Sequence, residues 1–80
     1  MYVILYTNFP DVKYAMAECH IELNQNNLAM SVLESVAPRT RTACLNMMLG
    51  NLYHQTGMDR AAVIAYKEVL KVTHALTAGL

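Results

Sequence analysis

From Asp11 onward, apolar residues return every three or four positions, which is the spacing of one face of an α-helix. Four such stretches follow one another, separated by polar or turn-forming segments. The first carries Val12, Met16, Cys19 and Leu23, with Asp11 behind Pro10 as a helix cap or first-turn acid, and it closes at the Asn24-Gln25-Asn26-Asn27 turn. A second opens at Leu28 or Ala29 with Ala29, Val32, Leu33 and Val36 on one side. It stops before Pro38, because proline disfavours helix in the residue before it, and a loop runs from Pro38 to about Thr40. The third, from Thr42, aligns Leu45, Met48, Leu49, Leu52 and Tyr53, and Gly57 supplies the left-handed residue that commonly ends a helix. Asp59 starts the fourth, whose Ala61–Tyr66 run is apolar nearly all round and so predicts contacts on two sides. Residues 1–10 stand apart. Met1 to Phe9 is β-branched and aromatic, matches nothing later, and predicts an extended or poorly ordered start.

The four stretches form two copies of one pattern. Ala17 aligns with Gly50, His20 with Tyr53, Ala29 with Ala62 and Leu33 with Tyr66, and every pair is 33 positions apart. Small residues hold the first and third places in both copies. Gly50 lets the second helix approach, and Tyr53 and Tyr66 fill the space between the helices and the next pair. With Leu49 beside Gly50, this residue logic and period resemble the tetratricopeptide repeat, in which antiparallel helix pairs stack on copies of themselves. The expectation is an all-α solenoid of about two repeats and four helices: a degenerate repeat over 11–43, a second over 44–76, and a tail at 77–80. Such repeats need about three copies for independent stability, so further repeats or a partner are expected beyond Leu70.

Composition sharpens this reading. An 80-residue chain buries only about 60–65% of its unfolded surface. Yet 55% of its residues are hydrophobic and only 15% charged, below the roughly 25% of an average soluble domain. Two helix pairs cannot easily hide that much apolar surface, which predicts a piece or a subunit of something larger. Net charge is zero and the six basic residues are scattered, so no electrostatic footprint for nucleic acid or an anionic membrane is present. Met1 to Phe9 lacks a charged leading region and a cleavage site, and it is too short to span a bilayer.

Candidate chemistry is sparse. His20, His54 and His74 are not three or four residues apart, so they read as surface or packing histidines and not as a zinc site. Cys19 and Cys44 lack CxxC or Cys/His spacing, which fits a reduced, intracellular setting. Cys19 lies on the apolar stripe of its helix and is expected to act as a small hydrophobe. Met48 is assigned to the core, with Met47 left open. No Ser/His/Asp arrangement, phosphate loop or paired carboxylate site appears, and no enzyme, cofactor or small-molecule substrate is expected.

A closer resemblance covers Asp11 to about Leu76. The segments VKYAMAEC, the APRTRT loop, NMMLGNLY and AYKEVLK, in that order and spacing, resemble the first repeats of the subunit-seven family of the anaphase-promoting complex, or cyclosome. The resemblance implies a non-catalytic scaffold subunit of a multisubunit ubiquitin ligase that drives mitosis and cell division. It also implies a homodimer formed through amino-terminal repeats, stacking on sister repeat subunits, and residence in the nucleus and cytoplasm.

Two rival interaction readings follow from the residues. An independent tetratricopeptide-repeat adaptor would hold a peptide in a concave groove lined by Tyr14, Glu18, Ile21 and Glu22 from the first repeat and Met47, Asn51, His54 and Gln55 from the second. A clamp for an acidic tail needs lysines and asparagines there, and only Asn51 fits, so a neutral or basic segment suits this lining better. A helical RNA-binding repeat protein would need basic and base-stacking positions recurring in each unit. Lys13, Arg39, Arg41, Arg60, Lys67 and Lys71 do not recur in register.

Overall fold

The computed structural model describes residues 9–78, with side chains over 9–71; the expected extended start over residues 1–8 and the end of the tail at 79–80 lie outside the described residues. Helices α1 (Pro10–Glu22), α2 (Asn26–Glu34), α3 (Ala43–Gln55) and α4 (Asp59–Ala78) follow in order, with a 3₁₀ turn at Pro38–Thr40 and no strand among the described residues. The fold is all-α. The chain divides between Thr42 and Ala43 into two compact units, in which α1 packs on α2 and α3 packs on α4.

In the first unit, Phe9 is extended and its carbonyl accepts from the Lys13 amide at 3.1 Å. Pro10 then occupies the first turn of α1, where its missing N–H costs nothing, with Asp11 beside it against the positive end of the helix dipole. Pro10 is therefore helical, not part of the extended start. The buried positions of this unit are Ala17, Ala29, Leu33 and Val36. Helix α2 begins two residues earlier than Leu28 and ends at Glu34, and its buried side is the expected one.

The buried side of α1 is not the expected one. The apolar stripe Val12-Met16-Cys19-Leu23 predicted that side, but Ala17 is its one fully buried residue, Cys19 is exposed, and Leu23 lies beyond the helix with two-thirds of its surface open. The true face is turned by one residue, about 100° at 3.6 residues per turn. Packing against α2 accounts for this, because a small side chain at Ala17 lets the two helices approach.

The second unit buries Leu45, Leu49, Gly50, Leu52 and Tyr53 from α3 and Ala62 and Ala65 from α4. The stripe expected for α3 holds, with Met48 half-buried and Met47 exposed. On α4 the run Ala61–Tyr66, expected to make contacts on two sides, meets its own unit on one side, with Val63 50% and Ile64 64% exposed. The run buries only its small side chains, and its branched ones face outward. Helix α4 also continues through Thr77 and Ala78, where the tail was expected to start.

The two turns close in the same way. Gly57 has φ +82° and Asn24 φ +61°, the only left-handed residues among those described, and they lie 33 positions apart. Met58 N–H donates to the Tyr53 carbonyl at 2.7 Å and Gly57 N–H to that of His54 at 3.1 Å. In the first unit Gln25 N–H donates to His20 at 2.8 Å and Asn24 N–H to Ile21 at 2.9 Å. Both are Schellman closures, which satisfy the last carbonyls of a helix through a left-handed residue.

Candidate interaction surface

Two of the residues that recur at the repeat period, Gly50 and Tyr66, meet closely in the second unit. A Cβ built on Gly50 would come within 3 Å of three Tyr66 ring atoms, the nearest being Cε1. Only hydrogen at this position lets the aromatic ring lie against the α3 backbone. The Tyr66 hydroxyl donates to Asn51 Oδ1 at 2.5 Å, so the ring is fixed at both its face and its tip. Leu49 is fully buried, and Tyr53 and Ala62 are nearly so. In the first unit Ala17, Ala29 and Leu33, the counterparts of Gly50, Ala62 and Tyr66, are fully buried. His20 is half-buried, and its Nδ1 pairs with Gln25 Oε1 at 2.8 Å across the turn.

Of the expected groove residues, Tyr14 and Ile21 on α1 are half-buried and Glu18 and Glu22 exposed. Met47, Asn51, His54 and Gln55 on α3 are all exposed. Asn51 is engaged by Tyr66, and His54 Nδ1 lies 3.5 Å from Asp59 Oδ1 in an exposed pair. Screening leaves such a pair worth little. Among the described residues no group of three or more His, Cys, Asp or Glu side chains forms a metal cage, and no helix is long and apolar enough to cross a membrane. Cys44 is exposed, as Cys19 is.

Two features escaped the sequence reading. Arg41 Nε donates to the Val36 carbonyl at 2.9 Å and its Nη2 to that of Glu34 at 3.2 Å, so an arginine read as scattered charge closes the end of α2. Its signal was its position just past the proline that ends the helix. The other is the outward side of α4, where Val63, Ile64 and Leu70 stand exposed among Arg60, Lys67 and Lys71. The sequence pattern predicts contacts for Val63 and Ile64 only as part of the apolar run Ala61–Tyr66, and it assigns Leu70 no face.

Helix pairs with small residues at the crossing, aromatic fill and a 33-residue recurrence define a helical-repeat protein. Residues 45–73 match the tetratricopeptide repeat family, and the chain has the all-α helical-repeat fold of that family. It is similar to anaphase-promoting complex subunit 7 of Homo sapiens, 48% identical over 61 residues that make up 76% of this chain and 11% of that protein. The protein of the same name in Dictyostelium discoideum is 36% identical over 64 residues, 78% of this chain and 11% of its own length. That of Arabidopsis thaliana is 33% identical over 64 residues, 80% and 11% respectively. The chain thus spans about a tenth of the length of the curated relatives it matches.

Proposed function

We propose that this chain is a non-catalytic scaffold element of the anaphase-promoting complex, a ubiquitin ligase that controls mitotic progression. On this reading residues 11–43 and 44–76 each form one repeat, and the chain acts inside the cell, in nucleus and cytoplasm. It works by self-association as a homodimer and by packing on sister repeat subunits. Its ligands are proteins, not nucleic acid, membrane or small molecules. The observation that carries the reading is the similarity to subunit 7 across three-quarters of the chain, from animals to plants. The exposed apolar residues of α4 support it, because a small repeat unit with open aliphatic side chains is suited to covering by another protein surface.

The test has two arms. A tagged chain expressed in dividing cells is precipitated and probed with antibodies to the other subunits of the complex, and the purified chain is weighed by light scattering over a concentration series. Co-precipitation of those subunits together with a mass that rises to the dimer is the expected result. A chain that stays monomeric and brings down none of them would overturn the reading in favour of an independent adaptor.

A further inference from the structure

Ser35 lies just past the end of α2, exposed, and its hydroxyl takes part in two hydrogen bonds. Its Oγ donates to the Val32 carbonyl at 2.5 Å and accepts from the Lys13 ammonium at 2.6 Å. Lys13 belongs to α1, 22 positions earlier, so the packing of two helices, and not local sequence, brings this cation to the hydroxyl. Neighbouring hydroxyls differ. Those of Ser31 and Thr40 donate to backbone carbonyls four and three positions back. A second cation reaches the turn at Ser35, because Arg41 donates to the carbonyls of Glu34 and Val36, the residues on either side of it. A guanidinium has five N–H donors, and these carbonyls take two.

Two cations at a neutral hydroxyl are more positive charge than that oxygen can use. A phosphate in its place would bring about −1.5 to −2 charge at neutral pH and three strong acceptor oxygens. Left alone, such a group at the carbonyl end of a helix would be repelled, and the exposed Glu34 carboxylate beside it would add to the repulsion. Lys13 and Arg41 supply the opposing charge where it is needed. The Val32 carbonyl would lose the hydroxyl as a donor but keep the Ser35 backbone N–H at 3.3 Å. Access is open as well, since Glu34, Ser35 and residues 37–40 are exposed, and among residues 34–40 Val36 alone is buried.

We propose that Ser35 is a phosphorylation site whose phosphate is received by Lys13 and Arg41, tying α1 to the end of α2. The co-reactant is ATP, held by a serine/threonine protein kinase. Ser35 Oγ forms a bond to the γ-phosphorus, the bond from that phosphorus to the β,γ-bridging oxygen breaks to release ADP, and the hydroxyl proton passes to the kinase. The result is a first unit held together more firmly, because a shared hydroxyl is replaced by charge-assisted hydrogen bonds. The inference goes beyond the proposed scaffold role and does not depend on which proteins the chain meets.

Two experiments on the full chain test it. Joining residues 1–43 to 44–80 by ligation at Cys44 yields the chain with phosphoserine at position 35 only. Circular dichroism and urea melts should show higher helix content or a higher midpoint than in the unmodified chain. The gain should persist in Lys13→Arg and largely vanish in Lys13→Gln. A phosphate that brings no gain, or a gain undiminished in Lys13→Gln, would overturn its reception by the two cations. In the second, the chain is incubated with ATP and an extract of dividing cells, and tandem mass spectrometry locates any added phosphate. Phosphate on Ser35 in the parent and none at that position in Ser35→Ala is expected. A chain left unmodified, or modified at Thr40 or Thr42 instead, would overturn Ser35 as the site.

Discussion

The ring of Tyr66 occupies the space that a side chain on Gly50 would need, with Cε1, Cδ1 and Cζ all closer than 3 Å to a Cβ placed there. Alanine is the better helix former by about 1 kcal/mol, but the ring is rigid and its hydroxyl is tied to Asn51. Overpacking should dominate. Gly50→Ala is expected to destabilise the second unit by about 1–3 kcal/mol in urea melts. Tyr66→Leu added to it should recover part of the loss, since the first unit carries the Ala17 and Leu33 combination at the same two places. Loss that simply adds in the double variant would mean the two sites do not share one space.

Leu49 is fully buried and Tyr53 nearly so. Leu49→Ala or Tyr53→Ala should cost about 2–5 kcal/mol through lost burial and the cavity left behind. A small repeat unit has only a few kcal/mol in hand, so either change should leave the chain largely unfolded by circular dichroism. Lys67→Ala, on the open side of α4, should leave the urea midpoint of the monomer unchanged.

The turn residues separate backbone strain from packing. Nothing lies within 4 Å of a Cβ placed on Gly57, so the cost of Gly57→Ala comes from φ +82° alone, about 1–2 kcal/mol. Asn24 holds the equivalent conformation at φ +61°. Asn24→Gly should therefore be close to neutral, and Asn24→Val should be destabilising, as read from thermal midpoints. Equal tolerance of valine and glycine at position 24 would mean that the left-handed turn is dispensable.

Arg41 acts through two carbonyls at the end of α2. Arg41→Ala should cost about 1–2 kcal/mol, because charge-assisted hydrogen bonds are lost and the Val36 carbonyl loses its donor. Lysine is expected to rescue little, since its single ammonium cannot reproduce the forked guanidinium geometry. Hydrogen exchange at the amides of Leu33–Val36 would report the local loosening.

Two kinds of signal in the chain competed over α1, and they disagreed by one residue. Counting apolar side chains selected Val12, Met16, Cys19 and Leu23. The 33-residue alignment selected Ala17 and His20, and the structure follows the alignment, with Ala17 fully buried and Cys19 open. Hydrophobicity is a weak guide where a contact demands smallness, and alanine scores low on it while fitting best. On α3 both signals coincide at Tyr53, so the buried apolar side of that helix was legible, while the buried Asn46 was not. Val63 and Ile64 are a different matter: aliphatic side chains predict a covering surface without saying whether the same chain provides it. Arg41 was illegible because its role depends on where two carbonyls end up, which spacing alone does not encode.

The shared closure of the two turns bears on how fast the chain acquires its structure. Each helix pair is joined across a gap of only three residues, Leu23–Gln25 in one unit and Thr56–Met58 in the other. Within each unit, therefore, most contacts join residues close in sequence. Chains dominated by such short-range contacts reach the native state in about microseconds to milliseconds, and little loop-closure entropy stands in the way of either hairpin. A left-handed residue at Asn24 and at Gly57 thus gives each hairpin its own starting point, and assembly can begin at either one independently of the other.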